Sequence, residues 1–287
     1  MQRRCMACAL AVLLTLALAG CKSAQQPEQP QLTATAAPSG QKGENPLSKT
    51  LVALLEQKDL ALGQLGMKLE TYTPKEGQAD YSNLMVSVQS PFAEVDALLA
   101  DVVLDAFELQ PQTDGSYAVS DTELTASLVL KDGVYQYTCS APVPDEAGGG
   151  EGEDGDPQTQ PAGALDNQKQ SVQLQPDASA MSILLYDHTE NASADVLTLW
   201  MQTRSTAQGF VAQCYFTRNN GDTYDLLCYE VMGQDSIRYA IYDDVEKPAD
   251  LSTQTIEPFA FPAGAQTTVT YQNGVATIIN EKHTITL

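Results

Sequence analysis

Two stretches of the chain repeat their apolar residues at a helical interval, and most of the C-terminal remainder alternates with a period of two. Behind Asn45-Pro46, where asparagine can cap a helix and proline suits its first turn, Leu47, Leu51, Leu54, Leu55, Leu62 and Leu65 fall on one stripe. Gly63 and Gly66 are expected to close this helix. A second helix is predicted to start at Ser90-Pro91, with Phe92, Val95, Leu99, Val102, Val103 and Leu109 inward and Glu94, Asp101, Asp105 and Glu108 outward. Between them, residues 81 to 89 alternate and predict a strand.

Strand patterns then recur at 124–130, 134–139, 171–175, 181–186, 196–203, 209–217, 223–232, 236–242, 267–271, 275–280 and 283–287. Short turn signals separate several of them, among them Lys131-Asp132-Gly133, Asn219-Asn220-Gly221-Asp222 and Gln272-Asn273-Gly274. Parallel neighbours would need crossovers of about a dozen residues, so the pattern predicts an antiparallel meander. The expected class is α+β: a large curved antiparallel sheet with two amphipathic helices packed on it near the N-terminus.

Two segments lack any such pattern. Residues 22 to 45 hold Leu32 as their single apolar side chain larger than alanine, which predicts a disordered tether. Residues 142 to 169 carry a glycine triplet and six acids between Asp145 and Asp156, and predict a disordered acidic loop. The rest, 46 to 287, is expected to form one domain interrupted by that loop; the alternative is two subdomains, 46 to 141 and 170 to 287.

The first twenty residues obey different rules. Arg3 and Arg4 precede an apolar run from about Ala9 to Ala19, too short for a spanning helix of about 20 residues but of signal-peptide length. It ends in Leu18-Ala19-Gly20-Cys21. This resembles the lipobox of bacterial lipoproteins, a resemblance confined to residues 1 to 23. It implies cleavage before Cys21, a diacylglyceryl group on the Cys21 sulfur, and a membrane-anchored protein facing outside the cytoplasm. Two acyl chains hold a protein to a membrane where one gives only marginal binding.

Charge narrows the partners. Cleavage removes two arginines and no acid, taking the formal charge from −22 to −24. The mature chain's only arginines are Arg204, Arg218 and Arg238, and no basic cluster exists to neutralise a phosphate backbone, which excludes nucleic-acid binding. Of six cysteines, Cys5 and Cys8 leave with the signal peptide, Cys21 takes lipid, and Cys139, Cys214 and Cys228 remain. A three-residue loop at Asn220-Gly221-Asp222 would set Cys214 directly opposite Cys228, within disulfide reach; a two-residue Asn220-Gly221 turn would leave two buried thiols on opposite faces.

No catalytic residue can be assigned. The two histidines, His188 and His283, stand at no metal-binding spacing, the acidic loop does not match a calcium-loop pattern, and no nucleophile elbow, P-loop or dinucleotide fingerprint is present. Nothing therefore calls for a metal or a cofactor. The aromatic residues are more suggestive: Tyr215, Tyr224, Tyr229 and Tyr239 fall on neighbouring strands with Trp200 nearby, either as cross-strand packing or as a stacking surface for a ligand. Helices laid on a curved antiparallel sheet are similar in architecture alone to the lipoprotein-carrier folds of the bacterial envelope, and the first expectation is a non-enzymatic binding module for an apolar ligand, a glycan or an envelope partner. A structural or assembly module of the envelope is the second expectation, and a hydrolase with an unrecognised carboxylate site the third.

Overall fold

The computed structural model describes residues 44 to 287, apart from 76–77, 79, 121–124, 141–167, 188–195, 219–222, 246–248 and 281–282. The signal peptide, Cys21, the tether, all but the last two residues of the 142–169 acidic segment, and His188 lie outside the described residues. Those that are described belong to one compact unit, Ala34–Leu287.

Helix α1 spans Pro46–Leu69 and α2 spans Tyr81–Glu108. Asn45 caps α1 reciprocally: its Oδ1 accepts from the Ser48 N–H at 3.0 Å and its own N–H donates to Ser48 Oγ at 3.3 Å. Gly63 and Gly66 do not stop α1, which runs on to Leu69 because Leu65 and Leu69 extend the buried stripe. Packing at the far end outweighs the weak helix propensity of the glycines.

The strand predicted at 81–89 is instead the first third of α2. Leu84, Val88, Phe92, Val95 and Leu99 are buried at intervals of three and four, a helical period that continues without a break through Pro91. Proline disturbs the preceding turn by removing a donor and crowding its carbonyls. One carbonyl on that turn, that of Val88, accepts from the Tyr239 hydroxyl at 2.9 Å, so sheet contact supplies a bond where the helix is weakest.

Thirteen strands among the described residues form one open antiparallel sheet in strict sequence order: β1 Gln110–Pro111, β2 Tyr117–Ser120, β3 Thr125–Lys131, β4 Val134–Ser140, β5 Gln168–Leu174, β6 Ala180–Asp187, β7 Val196–Ser205, β8 Gly209–Arg218, β9 Thr223–Met232, β10 Ser236–Val245, β11 Thr267–Gln272, β12 Val275–Asn280 and β13 Thr284–Thr286. The α+β class with a curved, open meander is thus the observed one. The short strands β1 and β2 carry no sequence pattern long enough to predict them. Strands β4 and β5 pair directly from Tyr135↔Leu174 to Ser140↔Lys169, so the sheet is continuous across the acidic segment.

Turn chemistry fixes the register. Asp132-Gly133 and Asn273-Gly274 both have positive φ at each residue, the two-residue hairpin geometry that matches strand twist. At Gly209 a Cβ would run into the Val231 carbonyl oxygen, so only glycine lets β8 begin this close to β9. Asp244, at φ 53°, sits in the bulge between Tyr242 and Val245 that bends the end of β10.

The helices form an antiparallel pair on one side of the sheet. Asn45 Nδ2 donates to the Ala106 carbonyl at 2.6 Å, Lys58 meets Asp96, and Gly66 lies beside Gln89. Helix α2 touches β10 at Val88 and β4 and β5 at Asp105. Those 17 residues span about 26 Å, close to the ~24 Å of five strand spacings between β10 and β5. It therefore crosses the strands rather than running along them.

Candidate functional site

Central strands β8 to β10 are covered on both sides, and the two covers differ. On the helix side Phe92 stands edge-on to Tyr229 and Tyr239, with ring centroids at 5.3 and 4.9 Å, and Phe210 lies 5.8 Å from Tyr229. All four rings are buried, so Phe92 of α2 and the three strand rings around it fill the space between helix and sheet here. On the other side Val211, Tyr215, Leu226, Cys228, Ala240 and Tyr242 pack against Leu251 and Phe259 of an irregular strap, residues 249 to 265.

Polar side chains projecting from the strands hold this strap. Gln202 Nε2 donates to Asp250 Oδ1 and its Oε1 accepts from the Leu251 N–H, both at 3.0 Å. Gln213 and Gln254 exchange amide hydrogen bonds at 3.3 Å. Arg204 donates to the Leu251 and Gln254 carbonyls at 3.4 and 3.0 Å. Arg238 pairs with Glu230, donates to the Phe259 carbonyl at 2.6 Å, and lies 4.9 Å over the Phe261 ring. The Tyr242 hydroxyl donates to the Pro262 carbonyl and the Tyr215 hydroxyl accepts from the Ala249 N–H. These bonds satisfy buried polar groups that would otherwise cost about 1–3 kcal/mol each.

This arrangement decides two alternatives that the sequence left open. Strands β8 and β9 pair Arg218 with Thr223, which places Cys214 opposite Leu227 and Cys228 opposite Gln213. Cys214 belongs to the helix-side core and Cys228 to the strap side, and no disulfide joins any of Cys139, Cys214 and Cys228. The candidate Cys214–Cys228 bridge does not form, because an offset of one residue turns the two side chains to opposite faces. Burial drives both thiols upward in pKa, Cys228 to about 12 and Cys214 well above the ordinary range.

The five aromatic residues divide in the same way. Trp200, Tyr215 and Tyr224 lie on the strap side, with centroids 6.0 Å apart for the first pair and 6.5 Å for the second. Tyr229 and Tyr239 lie on the helix side against Phe92. They are not one stacking surface; the density of aromatic residues reflects a strand pair packed on both faces. Trp200 is half-buried and donates from Nε1 to Ser182 Oγ at 3.0 Å.

Two polar clusters sit between helices and sheet, and sequence pattern pointed to neither. In the first, Asp105 accepts from Gln170 Nε2 at 3.2 Å and from the Cys139 thiol at 3.6 Å, while the Tyr137 hydroxyl donates to Gln170 Oε1 at 3.3 Å. Burial and the neighbouring Cys139 and Asp105 push the Tyr137 phenol far above its usual range. Asp105 thus belongs to a packed network rather than a solvated stripe. In the second, Lys58 is 2% exposed, with Nζ 2.5 Å from Asp96 Oδ2, 2.9 Å from Asp59 Oδ1 and 5.9 Å from the Phe92 ring centre. Burial works to lower the ammonium pKa, but Asp96 and Asp59 outweigh it and hold it above the ordinary lysine range. Burial raises Asp96 against the pull of Lys58. The only sequence signal for this site is a lysine on the same stripe as Leu47, Leu51, Leu54 and Leu65.

Among the described residues, no group of three or more His, Cys, Asp and Glu is gathered to hold a metal, and no helix is long and apolar enough to cross a membrane. Large apolar side chains do reach solvent. Met67 near the end of α1 and Tyr81 and Val86 at the start of α2 are exposed at the same end of the helix pair, Val86 by 64% and Met67 by 55%. No protein-family model, curated protein or solved structure matches the chain.

Proposed function

We propose that this protein is a lipid-anchored module of the bacterial cell envelope, facing outside the cytoplasm, that works by binding another envelope protein. The single observation carrying the mode of action is the filled helix side of β8 to β10, where Phe92, Phe210, Tyr229 and Tyr239 occupy the space an apolar cargo would need. A carrier needs a pocket on the order of 300 Å³. A glycan needs open aromatic faces, and here the tyrosines are divided between two covered sides of the sheet. Recognition through an exposed surface is the reading left, and the Met67, Tyr81 and Val86 end of the helix pair supplies apolar anchors for it. The Leu18-Ala19-Gly20-Cys21 sequence supports the anchor.

The test uses the full chain in bacterial membranes. Cys21→Ala should release the protein from the membrane fraction, and persistence there would remove the lipid-anchor reading. A photo-crosslinking residue at Val86 should capture one discrete envelope protein, while the same residue at the exposed Thr270 of β11 captures none. A lipid co-purifying in native mass spectra, with no Val86 adduct, would restore the carrier reading instead.

A further inference from the structure

Lys58 is the one fully buried cation among the described residues, and its ammonium does not reach out along its stem to solvent as lysines do at core margins. It ends between two carboxylates, Asp96 across the helix seam and Asp59 beside it on α1, above the Phe92 ring. A buried ion pair is a weak way to hold two helices, because desolvation cancels much of the attraction. The same three groups are a nucleophile, an acyl carbon and a proton carrier in one place.

We propose that Lys58 and Asp96 join in an intramolecular amide bond that staples α1 to α2, with Asp59 moving the protons. Asp96 and Asp59 favour the ammonium, so the reactive form is the minor one in which the Lys58 Nζ proton has passed along the 2.5 Å contact to the Asp96 carboxylate, leaving an amine and a carboxylic acid. The nitrogen lone pair attacks Asp96 Cγ; Asp59 takes a proton from nitrogen and gives it to the departing hydroxyl; the Cγ–O bond breaks and water leaves. An ammonium and a carboxylate become an amide and one water, with no oxidant or co-reactant. Nζ at 2.5 Å from Oδ2 sets the nitrogen beside the carboxyl group whose Cγ it attacks, a proximity that turns an encounter of two molecules into a step within one. Asp96 and Asp59 are both partly open to solvent, which gives the water an exit. Asp59, at 2.9 Å from the same nitrogen, is within proton-transfer reach. The bond stabilises by restricting the unfolded chain, as a disulfide does, in a protein whose three described cysteines form no disulfide.

Trypsin digestion of the full-length, membrane-extracted protein tests the proposal. Lysines and arginines flank residues 50–68 and 76–131 such that the expected product is one branched peptide joining them, uncut after Lys58 and lighter by one water than its two arms. Lys58→Arg, which keeps a cation against Asp96, should give three separate peptides of full mass, 50–58, 59–68 and 76–131, and Asp59→Asn should slow accumulation of the branch in newly made protein. Complete cleavage after Lys58 in the wild type overturns the staple and leaves an ion pair. Loss of water that persists in Lys58→Arg, as a succinimide at Asp114-Gly115 would give, overturns it equally. A branch that forms at the wild-type rate in Asp59→Asn overturns the role of Asp59.

Discussion

On one side of β8 to β10, Phe92 projects from a regular helix between Tyr229 and Tyr239; on the other side of the same strands, Tyr215, Cys228 and Tyr242 lie under a strap with almost no repeating structure. The helix-side seal is an apolar surface pressed on an apolar surface, and its strength scales with buried area. The strap carries fewer apolar side chains and is positioned by Gln202, Arg204, Gln213 and Arg238, each bonded to a particular backbone or side-chain group. A cover of the first kind comes off only when the domain unfolds. One of the second kind is a local unit whose opening needs only its own bonds to break.

Phe92→Ala is the largest perturbation of this contrast. It removes a ring held by two tyrosines beneath Lys58, and a loss of about 3–5 kcal/mol in denaturant unfolding is expected. A loss under about 1.5 kcal/mol would mean that the space over these strands is not tightly filled, and the carrier reading would return.

High pH probes both faces at once. Cys228 titrates at about 12 in the folded protein against an ordinary 9.0, so between those values the unfolded chain has lost a proton that the native state keeps. The unfolded state binds fewer protons there, and stability falls as pH rises, at about 1.4 kcal/mol per pH unit for one such group. Tyr229 and Tyr239, raised by burial from 10.0, act in the same direction from the helix side. Unfolding measured from pH 8 to 12 should steepen above pH 9, and Cys228→Ala should remove one group's share of the slope. An unchanged slope would mean that the strap leaves the thiol wet.

The helix cover was legible because it repeats: Leu47, Leu51, Leu54 and Leu65 on α1, and Phe92, Val95 and Leu99 on α2, announce a buried face by spacing alone. Asp-Gly and Asn-Gly turns at 132–133 and 273–274 likewise made the meander readable. Residues 81 to 89 misled because Leu84, Val86 and Val88 share a strand face and Val86-Ser87-Val88-Gln89 alternates, while the buried residues Leu84 and Val88 also obey a helical spacing that continues past Pro91. The strap left only an indirect trace. Runs such as Phe210-Val211-Ala212 and Leu226-Leu227-Cys228-Tyr229 are apolar without alternation, the mark of strands covered on both faces, yet nothing local says what covers them. Lys58, a polar residue on an apolar stripe, marked the seam without naming Asp96, since a partner 38 residues away is fixed by tertiary packing.

Opening the strap alone is the sharper comparison. Arg204→Ala deletes donors to the Leu251 and Gln254 carbonyls, and a modest loss of about 1.5–3 kcal/mol is expected for hydrogen bonds from a charged group. The two cysteines separate local from global opening: alkylation of Cys228 should accelerate while that of Cys214, on the helix side, keeps its wild-type rate. Equal acceleration at both would mean that the strap and the helix seal open together as one cooperative unit.

The smallest stability effect should come from the place where binding is proposed. Val86 is 64% exposed on α2, so Val86→Ser removes little buried area and should shift unfolding by no more than about 0.5 kcal/mol. Its effect on partner capture should be out of proportion to that, because anchors at the centre of an interface contribute through desolvation in the complex rather than in the free domain. Combined with Met67→Ser, it should abolish crosslinking from a photo-reactive residue at the neighbouring Tyr81 while leaving Phe92, the strap and the lipid anchor untouched. Undiminished crosslinking in the double variant would move the contact away from this end of the helix pair, to the strap side or to exposed Val275 and Ile279 near the C-terminal edge of the sheet.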